Sequence, residues 1–192
     1  MLAAAELMHV QGVATTTIDD VLAASATSKS QFYQHFADKS ELVYDVIDLR
    51  ADDVLAWQRL RLEKVDSLRG LHQWRDAMVQ RCVIRRGLWG CELGSLAAEL
   101  SDTDDKARTS LAEHFAEWRS ILAAALERMR DNGVLRDDID ASALATGLLA
   151  AVEGGYLLSQ TARDPRLMHT SLNSAIAHIM SFAPDNSERA SR

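Results

Sequence analysis

Two short helices separated by a tight polar turn constrain the fold of this 192-residue chain more than any other feature. Thr17 is followed three residues later by Asp20, which is the spacing of a capping box at a helix start. Ser28 stands in the same relation to Gln31. The pattern predicts one helix from Thr17 to about residue 24 and a second from Lys29 to about residue 34.

This arrangement is typical of a helix-turn-helix, in which the second helix enters the major groove of DNA. Phe32 and Phe36 lie four residues apart and give the second helix one apolar side. Lysine, serine and tyrosine suit phosphate oxygens, and glutamine can pair with the edge of adenine. The candidate DNA contacts off the apolar side, together with the lysine that starts the next helix, are Ser28, Lys29, Ser30, Gln31, Tyr33, His35 and Lys39.

Each of these candidates also has a purely structural interpretation. Gln31 can simply complete the capping box of Ser28. His35 can be an ordinary surface histidine, and Lys29 and Lys39 can be solvated lysines. Both interpretations stay open at the level of the sequence.

Residues 13 to 47 resemble the DNA-binding region of the tetracycline-repressor (TetR) family of bacterial transcription regulators. The matching pieces are Thr16, Thr17 and Ile18 before the first motif helix, Ser28 and Lys29 at the start of the second, Tyr33, Gln34, His35 and Phe36 at its end, and Asp38, Lys39, Ser40, Glu41 and Leu42 after it. The resemblance implies an all-α dimer with about nine helices per subunit. Its first three helices bind a double-stranded DNA operator, and the others bind a small-molecule effector and the partner subunit. By position, the residues that this family would direct at DNA are Thr17, Lys29, Ser30, Gln31, Tyr33, His35 and Lys39.

The chain departs from the family pattern in its turn, its start and its charge. Many members have Gly-Val where this chain has Ala26 and Thr27, and alanine pays more than glycine for a positive φ. Members usually carry a basic arm and a full first helix, so we expect the first helix to be truncated at its start. Residues 1–45 hold six acidic side chains against two lysines, which predicts poor long-range steering toward DNA.

The rest of the chain has the apolar periodicity of helices and no strand pattern. The predicted helices cover residues 38–65, 67–86, 91–100, 104–132, 141–162 and 165–182. We expect a DNA-binding domain over residues 1–45, an effector-binding and dimerisation domain over 46–183, and a disordered tail over 184–192. Apolar residues make up 47% and charged residues 26%, which is near the average for globular proteins.

The effector pocket is the least defined part of the sequence. A ligand site among helices is apolar with a few polar groups. The candidates are Trp74, Met78, Cys82, Trp89, Cys91, Phe115, Trp118 and Tyr156. Aromatic and sulfur side chains at helical spacing are equally typical of an ordinary core, and that alternative stays open.

The last two long helices are the predicted dimer surface. The first carries small and apolar residues at helical spacing, and the second carries an apolar stripe. These residues are Ala145, Leu148, Ala151 and Gly155 on the first helix, and Met168, Leu172, Ala175, Ile179 and Phe182 on the second. Spacing alone also fits an intrachain core, but family members pair through a four-helix bundle made of these two helices.

Cys91 is a candidate sensor as well as a candidate pocket residue. The segment from Gly90 to Ala97 resembles a stretch that follows a Gly-Cys pair in one TetR subgroup, some of whose members respond to oxidants or electrophiles. A cysteine at a helix start gains thiolate character. The alternative is a small buried hydrophobic residue.

Other classes of protein lack support in the sequence. There is no Gly-rich phosphate loop, zinc motif or nucleophile elbow, so we expect no enzyme, no cofactor and no metal. No targeting segment is visible, and the richest apolar stretch, Leu144 to Leu158, is interrupted by Glu153 and glycines. We therefore expect a cytoplasmic protein without membrane contact. The remaining alternative is a binding protein that keeps the TetR fold with weak or lost DNA recognition.

Overall fold

The computed structural model describes residues 1–86, 88 and 90–184, and within them the chain is all-α. The predicted fold class is confirmed, because these residues form nine helices and no strand. The helices are α1 (Leu2–Gln11), α2 (Ile18–Ser25), α3 (Lys29–His35), α4 (Lys39–Leu62), α5 (Leu68–Ile84), α6 (Glu92–Leu100), α7 (Asp105–Asp131), α8 (Ala141–Ala162) and α9 (Arg166–Met180). The predicted tail lies outside the described residues except for Pro184.

Helix α4 ends three residues before the predicted position at residue 65. The guanidinium group of Arg128 on α7 donates to the carbonyl oxygens of Leu62 (2.5 Å) and Val65 (3.2 Å). Carbonyls at a helix C-terminus have no partner within the helix, and a basic side chain can satisfy them. Arg128 therefore completes the end of α4 and the turn after it.

The first compact unit contains Met1–Leu55 together with Cys91–Phe115. It extends beyond the predicted DNA-binding domain of residues 1–45, because α6 and the start of α7 pack with the N-terminal helices. The hydroxyl of Tyr44 donates to Asp104 at 3.0 Å, and the ammonium of Lys106 lies 4.0 Å from the centre of the Tyr44 ring. The core of this unit includes the fully buried side chains of Leu42, Ile47 and Leu93.

The second compact unit contains the described residues of Ala56–Gly90 and Ala116–Arg192. Here α8 packs closely on α9, and a Cβ added at Gly155 would lie 2.7 Å from the sulfur of Met168. Most of the residues predicted to form a dimer surface are instead buried within the single chain. These are Ala145, Leu148, Gly155, Met168, Leu172 and Ile179, whereas Ala151, Ala175 and Phe182 are half-buried. The alternative of an intrachain core thus holds for the buried six.

Among the described residues, α8 is the one helix that by length and composition alone would suffice to cross a membrane. Its most apolar 18-residue window has a mean hydropathy of 1.4. A third of that window is buried, and the buried side faces α9 through contacts such as the bond from Ser171 to the carbonyl of Ala151 (2.6 Å). A core helix passes the same test.

The role of Arg128 at the end of α4 is testable by substitution. We expect Arg128→Met to lower the free energy of unfolding by about 1–3 kcal/mol, because the buried carbonyls of Leu62 and Val65 lose a charged donor. Methionine keeps the length and helix propensity of the side chain. Urea unfolding measures the effect. The control is Arg119→Met on the exposed side of the same helix, which should stay within about 0.5 kcal/mol of the parent chain, and equal losses in the two variants would contradict the prediction.

Candidate nucleic-acid interface

Helix α2 begins with the predicted capping box. The hydroxyl of Thr17 accepts from the N–H of Asp20 (3.1 Å), and the carboxylate of Asp20 accepts from the N–H of Thr17 (2.8 Å). The Thr17 hydroxyl also donates to that carboxylate at 2.6 Å. These bonds from Thr17, the side-chain bond foremost, lower the pKa of Asp20 from its ordinary value, since they favour the charged form.

The turn after α2 holds a non-glycine residue in the left-handed region. Ala26 has φ 53° and ψ 32°, and its N–H donates to the carbonyl of Leu22. The N–H of Thr27 donates to the same carbonyl at 3.1 Å. An alanine in this region costs about 1 kcal/mol relative to the right-handed one, so the turn is formed in spite of its sequence, with two N–H groups closing the end of α2.

Helix α3 begins with a second reciprocal capping box. The hydroxyl of Ser28 accepts from the N–H of Gln31 (3.2 Å), and the amide oxygen of Gln31 accepts from the N–H of Ser28 (2.9 Å). The structural interpretation of Gln31 is therefore correct in the free chain. A bidentate contact with adenine uses both the oxygen and the nitrogen of a glutamine amide, so base reading by Gln31 requires this capping bond to be exchanged.

The two sides of α3 differ as predicted from the aromatic spacing. Phe32 is buried, and its ring packs at a tilt against that of Phe36 with ring centres 5.3 Å apart. Tyr33 is 48% exposed and meets the Phe32 ring edge-on at 5.2 Å. The other predicted DNA contacts in and before α3 are also exposed, as is Thr17; they are Ser28, Lys29, Ser30, Gln31 and His35. Seven of the eight candidates thus lie on the surface of one helix-turn-helix.

Lys39 is the candidate that the structure places differently. It is half-buried, and its ammonium group donates to the backbone carbonyl oxygens of Val13 (2.5 Å) and Ala14 (3.4 Å). Its contact with a DNA phosphate stays a prediction, and a lysine can serve both because it carries three donors. The structural part of its role is to hold the turn between α1 and α2.

Several acids of the N-terminal region bind backbone N–H groups at helix starts. Besides Asp20, the carboxylate of Asp38 accepts from the N–H of Glu41 (3.0 Å), and that of Glu41 accepts from the N–H of Ala37 (2.7 Å). Carboxylates at helix N-termini satisfy donors that would otherwise lack a partner. Three of the six acids counted in residues 1–45 thus have a structural function.

The candidate pocket residues are divided between the two compact units. Trp74, Met78, Cys82, Trp118 and Tyr156 are buried in the second unit, whereas Cys91 and Phe115 belong to the first. Trp89 lies outside the described residues. The five residues of the second unit are each at most 9% exposed.

Gln58 is a buried polar residue that the sequence analysis missed. Its amide oxygen accepts from the indole N–H of Trp74 (2.9 Å), and its amide nitrogen lies 3.5 Å from the sulfur of Met78. It is 2% exposed. The sequence does indicate its burial, because Gln58 lies between Leu55 and Leu62 on the apolar side of α4. A polar group among apolar residues is what orients a ligand in a pocket.

Neither cysteine forms a disulfide bond. Cys91 is the N-cap residue of α6 and is 7% exposed, with no side-chain bond to the helix start. Cys82 is buried in the second unit, and burial raises the pKa of its thiol against the opposing hydrogen bond with Ser159. Both cysteines thus have the burial of small apolar residues, and a sensor role for Cys91 stays a prediction.

Comparisons with known families match both parts of the chain. A model described as bacterial regulatory proteins, tetR family, matches residues 1–46. A model described as tetracyclin repressor-like, C-terminal domain, matches residues 65–175, which is more than half of the chain. The first match ends near the predicted domain boundary, and the second includes α6 and all of α7 and α8.

Individual proteins show the same similarity over most of their length. An uncharacterized HTH-type transcriptional regulator in the lacX 3' region of Lactococcus lactis subsp. lactis is 27% identical, over 90% of this chain and 87% of its own. The HTH-type transcriptional repressor DhaR of Mycobacterium sp. (strain GP1) is 26% identical, over 80% of this chain and 77% of its own. The crystal structure of regulatory protein TetR from Rhodobacter sphaeroides is 21% identical with a TM-score of 0.82, and covers 92% of this chain and 95% of its own.

The capping box of α3 is testable without DNA. We expect Ser28→Ala to lower the free energy of unfolding by about 1 kcal/mol, because the N–H of Gln31 loses its acceptor. Urea unfolding measures the loss. Ser30→Ala is the matched control on an exposed helical position, and a similar loss in that variant would show that the hydroxyl of Ser28 has no special role.

Proposed function

The chain belongs to the TetR family of bacterial transcription regulators, and on that premise we propose that it is a ligand-responsive, sequence-specific DNA-binding repressor, released from its operator by a small molecule. Members of the family are transcriptional regulators with a DNA-binding N-terminus. The observation that supports the finer proposal most is the helix-turn-helix whose polar side is exposed while Phe32 anchors its apolar side.

DNA recognition follows from the composition of that exposed side. Lys29, Ser30 and Tyr33 carry donors that suit phosphate oxygens, which fix the position of the helix on the duplex. Gln31 and His35 carry groups that suit base edges, and base contacts supply sequence specificity. All five residues lie on α3, the second helix of the motif, and in a helix-turn-helix this helix enters the major groove.

A second copy of the chain is the proposed dimer partner, bound through α8 and α9. Two large apolar side chains near the end of α8 are exposed, Leu157 at 64% and Leu158 at 53%. Gly147 and Gly154 lie on the same helix, and a Cβ added at either would meet nothing within 4 Å in the chain. Glycine costs about 1 kcal/mol in a helix interior, and intrachain packing gives no reason for it, which favours close approach by a partner helix.

A groove beside this surface supports the same proposal. It lies between α8 and α9 and has a volume of about 390 Å³, and most of its lining is apolar, including Leu144 and Phe182, with Asp140 and His178 as the polar residues. Two seven-residue recognition helices joined in one dimer bind two half-sites about 34–36 Å apart, which raises affinity without new contacts in either half.

Effector binding is proposed for the interior of the second unit. Trp74, Met78, Cys82, Trp118 and Tyr156 supply apolar and aromatic surface, and Gln58 supplies a polar group. A ligand there acts as a switch if it binds more tightly to a conformation with weak DNA affinity. Binding of ligand and binding of DNA then weaken each other by the same factor.

The proposed protein is a cytoplasmic regulator rather than an enzyme. A family protein with weak or lost DNA recognition is the second candidate, and the excess of acids in residues 1–45 favours it. Three of those acids bind helix N-termini, which gives them a reason to be present that is compatible with DNA binding. Direct measurement of DNA affinity separates the two candidates.

The DNA proposal is tested with a duplex from immediately upstream of the chain's own coding region and a scrambled duplex of equal length. We expect the chain to prefer the upstream duplex and Lys29→Ala to bind both more weakly. The slope of log affinity against log salt concentration should fall by about one per lost lysine contact, hence by about two for a symmetric dimer. Fluorescence anisotropy at several salt concentrations measures both quantities.

Lys64→Ala is the matched control, since it removes the same charge from an exposed lysine outside the helix-turn-helix. Its salt slope should equal that of the parent chain. No preference for the upstream duplex in the parent chain would favour the second candidate, and equal slopes in the two variants would remove Lys29 from the interface.

The effector proposal is tested by screening flat apolar compounds for a rise in the melting temperature of the chain. Ligands that bind only the folded chain raise its stability by mass action. We expect a compound that does so to lower the affinity for the upstream duplex as well, by about 5–150-fold for a typical coupling. A compound that binds the second unit and leaves DNA affinity unchanged would contradict the switch.

A further inference from the structure

The turn between α1 and α2 is bound by a carboxylate from α6. Oε2 of Glu99 accepts from the N–H of Val13 at 2.8 Å, and Oε1 accepts from the N–H of Ala14 at 2.6 Å. One carboxylate thus holds two consecutive backbone N–H groups, one with each oxygen. Bonds to a charged acceptor are shorter and stronger than neutral ones, and this contact joins residues 85 and 86 positions apart.

The carbonyl groups of the same two residues are bound by a cation. The ammonium of Lys39, at the start of α4, donates to the oxygens of Val13 and Ala14. The N–H groups therefore face an anion from α6, and the carbonyl groups face a cation from α4. All four backbone polar groups of this short segment are fixed by charged side chains from other helices.

The backbone on either side of this segment is shaped by a glycine and by a buried threonine. Gly12 has φ 90°, a value that residues with side chains rarely adopt, and a Cβ there would lie 3.4 Å from Oε2 of Glu99. Thr16 is buried, and its hydroxyl donates to the carbonyl of Gly12 at 2.7 Å. The turn leads directly into Thr17, the N-cap residue of α2.

Helix α6 is itself held at its other end. Glu92, in its first turn, lies 3.7 Å from the guanidinium of Arg50 on α4, and Arg50 lies 3.6 Å from Glu6 on α1. Glu92 and Glu99 are seven residues apart, so they lie on the same side of the helix. One side of α6 therefore contacts α4 with its first turn and the α1–α2 turn with its last.

From this geometry we infer that Glu99 is a positioning residue for DNA binding. It fixes the turn from which α2 starts, and α2 with its capping box sets the orientation of α3. It acts through the backbone of Val13 and Ala14 and makes no contact with DNA. The inference rests on the proposed function, and it gives a residue of the region 65–175 a direct effect on the helix-turn-helix.

The sign of the effect on DNA affinity separates positioning from a merely electrostatic role. A carboxylate without a positioning role repels phosphate, so its removal leaves DNA affinity unchanged or raises it. Removal of a positioning carboxylate lowers affinity. Asp102 provides the charge control, because it is an exposed acid three residues after Glu99.

The experiment compares Glu99→Ala, Glu99→Gln and Asp102→Asn with the parent chain on the upstream and scrambled duplexes. We expect Glu99→Ala to lose roughly tenfold in affinity for the upstream duplex, equivalent to about 1.4 kcal/mol. Its salt slope should stay that of the parent chain, because no phosphate contact is removed. Glu99→Gln keeps one oxygen acceptor and should lose less. Asp102→Asn should bind as tightly as the parent chain or more tightly.

Amide hydrogen exchange of the free chains tests the contact independently of DNA. Glu99→Ala should speed exchange at Val13 and Ala14, while the N–H of Phe32, which donates to the carbonyl of the N-cap residue Ser28, stays protected. Loss of protection throughout the chain would show that Glu99→Ala is unfolded. In that case Glu99→Gln is the deciding variant, measured by its affinity for the upstream duplex and by exchange at Val13 and Ala14.

Two results overturn the inference. One is a Glu99 variant that binds the upstream duplex as tightly as Asp102→Asn, and the other is unchanged exchange at Val13 and Ala14. A parent chain that binds both duplexes equally refutes the proposed function and the DNA role of Glu99 with it. The exchange result then still shows whether Glu99 holds the turn, so the two failures are distinguishable.

Discussion

A helix of seven residues is not stable by itself in water, so α3 exists because the chain around it fixes its start and one of its sides. The start is fixed by the reciprocal bonds between Ser28 and Gln31, and the side by burial of Phe32. The side chains of α3 that can contact a ligand are those not used by the cap or by the buried side. The exposed polar side is therefore a consequence of the anchoring, and its orientation is only as defined as the anchors are.

Because the motif is so short, single side chains have both a structural role and a predicted role in DNA recognition. The amide oxygen of Gln31 is used by the cap, and the ammonium of Lys39 is used by the carbonyls of Val13 and Ala14. Base reading by Gln31 requires its capping bond to be exchanged for a DNA contact, whereas Lys39 has three donors to divide between the carbonyls and a phosphate. Tyr33 and Lys29 are exposed, and their side chains take no part in the capping box of α3. They are therefore the more direct source of affinity in the proposed complex.

Local patterns in the sequence predicted the helices and their starts. They did not predict contacts between residues far apart in the chain. Capping boxes and apolar periodicity act over three to seven residues, so α2, α3 and α7 were predicted nearly to their ends. The contact of Glu99 with the α1–α2 turn has no periodic or motif signature, because its partners are backbone groups far away in the chain. Small residues on α8 were predicted to form an interface, but spacing could not tell which side of the helix α9 would cover.

The acidity of the N-terminal region is consistent with DNA binding once the partners of its carboxylates are known. Asp20, Asp38 and Glu41 bind backbone N–H groups whose own partial charges are positive, so part of each negative charge is compensated locally. Compensation of this kind does not supply attraction, and the two lysines of residues 1–45 are too few for strong binding by one copy. In the proposed dimer, two recognition helices joined in a fixed geometry would supply the affinity that one copy lacks. A turn clamped by Glu99 and Lys39 serves that requirement, because a dimer gains from its second site only when both sites are held in register.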